Sequence, residues 1–283
     1  MTISRRRLLA TAAAASLPLP LSLNAVAMPD QPKPARLEPV AEKFFGQLVV
    51  DPYRWMENPK DPDWLPFMTA QGEFARTCLD AIPGRRRMLE RISLLSGDFD
   101  LFAGMQIGGK TMVVERRPRN ASNTMLFLRD PVTGDEQLLF DPETRSHADV
   151  HYSMTFWSLS PDGRHVVIGV SPSGSENAVI EVLSTETGRA LPERIDRAQY
   201  ASPSWLPDSS GFFYNRLAEH AEAGTPDYYR NSVCWLHRVG HAVDLDVKVL
   251  ARGQFPDVAI SDIAFPVVYA QPGSPWAMAW LIE

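Results

Sequence analysis

The chain has 283 residues, 45% of them hydrophobic and 22% charged, which is enough apolar material for a large buried core and excludes a disordered or fibrous protein. Its 28 Lys and Arg against 34 Asp and Glu give a formal net charge of −6, so neither nucleic acid nor an anionic membrane surface is expected as the main partner. Cys78 and Cys234 are too few for a disulfide framework and lack the paired spacing of a zinc site; their oxidation state stays open.

Residues 1–27 read as an export signal. Ser4-Arg5-Arg6-Arg7-Leu8-Leu9 places arginines ahead of a weakly apolar run, and Ala25-Val26-Ala27 supplies a small-x-small cleavage site, the pattern of a twin-arginine signal peptide. The run from Leu8 to Leu23 contains Pro18 and Pro20 and falls short of the roughly 20 residues that span a bilayer. The expectation is a bacterial periplasmic or secreted protein, with no membrane association after cleavage and a mature start at Met28.

Residues 28–95 are expected to form an arm and helices. Four prolines between Met28 and Pro39 favour an extended arm. Trp64, Phe67, Met68, Gln71, Phe74, Cys78 and Ile82 then recur at three- and four-residue steps, with Asp61-Pro62 as cap and first-turn pair and Pro83-Gly84 as a stop, so the spacing predicts an amphipathic helix. A shorter helix is expected over Met88 to Leu95, beside a solvated Arg85-Arg86-Arg87 run.

From residue 96 to 283 the period changes from helical to alternating. Candidate strands are Thr111–Arg116, Thr124–Arg129, Gln137–Phe140, His165–Val170, Val179–Leu183, Phe212–Asn215 and Val233–Arg238, separated by turn pairs such as Gly108-Gly109 and Asp162-Gly163. Ser158-Leu159-Ser160-Pro161-Asp162-Gly163 is echoed by Ser204-Trp205-Leu206-Pro207-Asp208-Ser209, with the Pro-Asp pair stepping from 161 to 207, or 46 residues. That step suits four-stranded propeller blades and leaves room for about four of them. A β-sandwich also gives dense short strands but predicts no such repeat.

Gly104-Met105-Gln106-Ile107-Gly108-Gly109-Lys110-Thr111 matches the phosphate-loop pattern letter for letter. The chemistry of that loop needs a helix N-terminus behind the glycines, and the β-branched Thr111-Met112-Val113-Val114 predicts a strand instead, so no nucleotide partner is expected. His147/His151 and His237/His241 have the spacing of helical metal ligands, but each pair lies outside a predicted helix, and no metal or cofactor is expected. Asn120-Ala121-Ser122 is a glycosylation pattern that a bacterial protein usually leaves unused.

Asp51-Pro52-Tyr53-Arg54-Trp55-Met56-Glu57, together with Leu139-Phe140-Asp141-Pro142, the two Pro-Asp turns, Gly169-Val170-Ser171-Pro172-Ser173-Gly174-Ser175-Glu176 and His237-Arg238-Val239-Gly240, resembles the N-terminal part of prolyl oligopeptidases over about residues 40 to 256. The resemblance implies a serine peptidase of short peptides, commonly cut after proline, in which an α/β-hydrolase domain is capped by a seven-bladed propeller. The expected fold is therefore mainly β: a partial β-propeller of the seven-bladed type, about four blades, preceded by a short α-helical N-terminal segment. The hydrolase domain is not expected within the 283 residues, because no serine sits in a G-x-S-x-G nucleophile turn; Gly174-Ser175-Glu176 lacks the second glycine and Ser209-Ser210-Gly211 leads into a strand. No catalytic residue is nominated. Tyr200, which matches an aromatic position facing the family's substrate cavity, is the one candidate substrate-binding residue, and short proline-containing peptides are the partners implied once a hydrolase domain completes the enzyme.

Two readings of function follow: the gating portion of a prolyl-oligopeptidase-like enzyme whose catalytic half is lost or separately encoded, or a non-enzymatic exported scaffold that keeps a partial propeller. Pro272 to Trp280 reads as an interrupted strand, which favours the first. The helical faces around Trp64, Phe67 and Phe74 are expected to stand exposed.

Overall fold

The computed structural model describes residues 30–96, 99–172, 174–219, 225 and 227–283. The segment 1–27, expected to be an export signal, lies outside them. The chain divides into two compact units with the boundary between Leu95 and Ser96.

In the first unit a hairpin of β1 (Val40–Phe44) and β2 (Gln47–Asp51), which the sequence did not suggest, precedes a single 3-10 turn at Arg54–Glu57 and helices α1 (Trp64–Asp80) and α2 (Arg85–Ser96). The expected cap pair is shifted: Asp63 takes the N-cap position without a side-chain bond, while Asp61 turns the chain by accepting the Asp63 amide at 3.0 Å. Trp55, buried, donates its indole N–H to the Arg36 carbonyl at 2.8 Å and meets Phe67 edge to face at 5.8 Å. Trp64, Phe67 and Phe74 are half-buried rather than exposed, with Trp64 donating to the Met56 carbonyl at 2.8 Å and Phe67 against Trp55; the exposed large apolar residues are Leu65, Met68 and Leu79 on α1 and Met88, Leu89, Ile92, Leu94 and Leu95 on α2. Arg85-Arg86-Arg87 forms the first turn of α2, the end where positive charge is disfavoured, and Asp80 and Glu90 pair with Arg85 at 3.2 Å and Arg86 at 3.3 Å.

The second unit is all strand and turn. Three four-stranded antiparallel meanders follow one another: β3 (Leu101–Gly108), β4 (Thr111–Arg117), β5 (Met125–Arg129) and β6 (Glu136–Phe140); then β7 (Tyr152–Leu159), β8 (His165–Pro172), β9 (Val179–Ser184) and β10 (Ala190–Ile195); then β11 (Ser204–Trp205), β12 (Gly211–Arg216), β13 (Val233–Arg238) and β14 (Val247–Leu250). A two-stranded sheet of β15 (Phe265–Ala270) and β16 (Ala277–Ile282) comes last. The described residues thus hold three full blades and half of a fourth. The segment expected to be an interrupted strand is instead the turn and second strand of this hairpin, registered over six pairs from Phe265↔Ile282 to Ala270↔Ala277.

Alternation along the inner strands explains how the blades stack. Val166, Ile168 and Val170 of β8 face the first sheet, packing with Val113, Leu126 and Phe140, while Val167 faces the third with Phe212 and Tyr214. Phe213, between those two aromatics in β12, points the opposite way onto Cys234, Leu250 and Val268. Strands buried on both faces have to be apolar at odd and even positions alike, which is why Val166–Val170 of β8 and Phe212–Tyr214 of β12 show no apolar-polar alternation. Side-chain bonds cross each blade boundary: the Trp157 indole to Glu115 Oε2 at 2.8 Å, the Trp205 indole to the Ser158 carbonyl at 3.1 Å, and Asn215 Nδ2 to the Pro266 carbonyl at 2.9 Å.

Of the glycines in the phosphate-loop match, Gly108 closes β3 opposite Thr111 and Gly109 forms the two-residue hairpin turn with Lys110, one residue later than the expected Gly108-Gly109 pair. A Cβ on Gly108 would lie 2.1 Å from the Ser160 carbonyl oxygen, so the residue is glycine because the second blade's turn passes against it. No helix follows. Cys78 is partly buried, Cys234 fully so, and both are free thiols; burial pushes the Cys234 thiol up to about 12.

Candidate functional site

The segment 196–203 joins β10 of the second blade to β11 of the third, and it carries Tyr200. Three of its residues hold left-handed backbone without being glycine: Arg197 (φ 54°), Tyr200 (φ 62°) and Ser202 (φ 47°). Such conformations cost about 1 kcal/mol or more each and persist only where their surroundings over-determine them. Here they do. Ala198 and Ala201 are fully buried; the Ala198 amide donates to the Ala178 carbonyl at 3.1 Å, and the Asn215 and Leu217 amides of the next blade donate to the Ala201 and Arg197 carbonyls at 2.7 and 3.0 Å. Arg197 Nη1 adds a bond to the Leu217 carbonyl at 3.2 Å. The small buried alanines let the loop press down; of the two residues between them, Gln199 is buried and Tyr200 stands up.

Tyr200 is accordingly 50% exposed, with its ring edge-on to Phe265 at 5.9 Å and its hydroxyl donating to Glu176 Oε2. Gln199, buried, donates through Nε2 to the same Glu176 oxygen at 2.9 Å and to the Tyr229 hydroxyl at 3.3 Å. Tyr228 donates to Asn177 Oδ1 at 2.7 Å and stands edge to face with Tyr229 at 4.9 Å. The β10–β11 loop, the β8–β9 turn and the β12–β13 connection therefore meet in one polar, aromatic cluster. The Tyr200 and Gln199 donors hold the Glu176 carboxyl below its ordinary range, and the carboxylate in turn raises the Tyr200 phenol. Glu176 is exposed and anionic at neutral pH, and the cluster can offer a substrate an aromatic face, a carboxylate and phenol hydroxyls.

The sequence supplied Tyr200 alone. Gln199 and Tyr229 lie in no motif with a chemical spacing, and Glu176 ends both the Gly169-to-Glu176 string that carries part of the family resemblance and the Gly174-Ser175-Glu176 triplet, neither of which assigns it a role. The only available signal was the aperiodic stretch 196–203 between two strands.

The histidines take other roles. His147 and His151 flank a short bridged turn rather than a helix. His237 in β13 is fully buried, with Nδ1 2.7 Å from Asp246 Oδ1 and Nε2 3.8 Å from Glu193 Oε1, and the Tyr214 hydroxyl donates to Asp246 Oδ2 at 2.6 Å. Burial and that carboxylate raise the Tyr214 phenol. This network ties β10 to the third blade; among the described residues it holds no serine or cysteine that a histidine could activate, and no metal-ligating cluster occurs.

Comparison with known proteins gives the same architecture. The model of the prolyl oligopeptidase N-terminal beta-propeller domain matches residues 32–263. The prolyl endopeptidase of Elizabethkingia meningoseptica is 24% identical over 219 residues, covering 76% of this chain and 30% of the relative, and prolyl oligopeptidase ophP of Omphalotus olearius is 29% identical over 246 residues, covering 76% and 32%. Among solved structures, a chain from a study of two prolyl endopeptidases superposes with a TM-score of 0.73 at 26% identity, over 87% of this chain and 39% of that one. Prolyl oligopeptidase B of Galerina marginata shares the fold at a TM-score of 0.66 and 20% identity, over 88% and 38%. This chain spans about 30% of the length of the curated relatives it matches. It belongs to the prolyl oligopeptidase family, and its residues 32–263 correspond to the family's N-terminal β-propeller domain.

Proposed function

We propose that the chain is the substrate-gating propeller portion of an exported, prolyl-oligopeptidase-like serine endopeptidase acting on short proline-containing peptides. The bond-breaking chemistry belongs to an α/β-hydrolase domain outside these residues, since the sequence offers no nucleophile turn and the buried His237 network offers no nucleophile. The observation that carries the reading is Tyr200: a large ring, half exposed, fixed on a strained loop whose neighbours are buried. Three left-handed non-glycine residues around one exposed aromatic are the kind of stored strain that clusters at ligand-binding sites. Proline, with a flat apolar ring, is a suitable partner for an aromatic face.

Titration of the full chain with an N-acetylated, C-amidated proline-containing tetrapeptide, followed by saturation-transfer NMR, tests this. Tyr200→Ala should weaken binding about tenfold, in keeping with the loss of one aromatic contact. Equal binding by the variant would remove Tyr200 from the site, and no binding by either protein would overturn the reading.

A further inference from the structure

We propose that Glu176 makes the Tyr200 site selective for peptides bearing a positive charge near the proline. The inference rests on the gating role of Tyr200 and adds to it the class of peptide preferred. Glu176 is an exposed carboxylate held in place without a cation: both donors that fix it, the Tyr200 hydroxyl and Gln199 Nε2, are neutral and both use Oε2. Among the described residues no Lys, Arg or His forms an ion pair with it. Acids on the adjoining segments are paired: Asp196 with Arg197 and Arg216, and Asp227 and Asp262 with Arg230.

Two further features point to a cation as the guest. Tyr200 bonds to the carboxylate and Tyr229 shares its Gln199 donor; at 50% and 43% exposure, both are aromatic side chains of the kind that attract an ammonium or guanidinium. Gln199 is buried and 3% exposed, so the donor that aims the carboxylate is itself immobile; an orientation held that firmly on an exposed acid serves recognition more than stability. The recognised group is a protonated nitrogen, and in a short peptide it can be the α-ammonium or a Lys or Arg side chain.

The test uses the full chain and four proline-containing tetrapeptides of one length: fully blocked and neutral, free at the N-terminus, blocked with one Lys, and blocked with one Glu. Cationic peptides should bind about five- to tenfold more tightly than the neutral one, an advantage that Glu176→Gln removes and added salt reduces. The free-amine and Lys peptides tell which source of charge the site prefers. Equal affinity for all four peptides, or an unchanged preference in Glu176→Gln, would overturn the inference and leave the role of Tyr200 standing. Should the neutral peptide fail to bind the parent chain as well, the gating reading falls first and this inference with it.

Discussion

The Ser209 hydroxyl accepts a hydrogen bond from the Asp162 amide at 3.0 Å, so the two Pro-Asp turns that echo each other in the sequence are in contact across a blade boundary. They are also built alike. Gly163 and Ser209, one repeat apart, are both left-handed (φ 76° and 62°), and each donates its amide three residues back, to Ser160 and to Leu206, at 2.9 Å. Ser209→Ala should cost about 1 kcal/mol, the value of one buried hydrogen bond, read from urea unfolding. Ser209→Gly should cost less than a lost bond alone implies, because glycine relieves the left-handed backbone.

Gly108→Ala should destabilise the second unit by about 3 kcal/mol, since its Cβ would collide with the Ser160 carbonyl and backbone cannot step aside cheaply. Lys110→Ala, at an exposed position two residues on, should change stability by less than about 0.5 kcal/mol. Calorimetry with ATP and magnesium should detect no heat that Lys110→Ala removes. Micromolar binding sensitive to that substitution would restore the nucleotide reading of this loop.

The Asp162 carboxyl carries a pH signature. Burial pushes its pKa up, but the Ser160 hydroxyl, the Arg164 amide and the neighbouring His165 outweigh burial and leave it below its ordinary value. A carboxyl whose folded-state pKa is depressed stabilises the fold fully above its unfolded value, about 4, and loses that contribution as pH falls through the lower folded value. Thermal midpoints should therefore drop more steeply below about pH 4 in the parent than in Asp162→Asn. Parallel curves would show that Asp162 is not a linked group.

Export is a separate expectation, carried by Arg5-Arg6 and Ala25-Val26-Ala27. Replacing both arginines by lysine should leave the precursor in the cytoplasm, since the twin-arginine route reads the pair itself. A mature start at Met28 can be checked by N-terminal sequencing of periplasmic material. Unchanged periplasmic yield would remove the signal.

How much of this was legible in the sequence depended on whether burial left a period. β4, β8, β12 and β13 were readable because they are apolar runs between turn pairs, and α1 because its stripe recurs at helical steps. The strands missed were β1, β2, β3, β7, β10, β11, β14, β15 and β16, and for four of them the reason is plain. β10, β14 and β16 are outer or edge strands with little buried surface, as the fully exposed β16 shows. β11 has only Ser204 and Trp205, too short for any period, although Trp205 anchors the second blade through its indole bond to Ser158. At the site, Tyr200 came from family resemblance, while Glu176 and Gln199 came only from the structure, since loops brought together from three parts of the chain leave no spacing to read.

The claim at the centre of the account is that these residues form a propeller which receives peptides and does not cut them. The most direct measurement is turnover of a proline-amide peptide by the purified full chain, with and without a serine-directed phosphonate. The account predicts no turnover above buffer and no phosphonate adduct by mass spectrometry. Turnover that survives each purification step and is blocked by the phosphonate would contradict it.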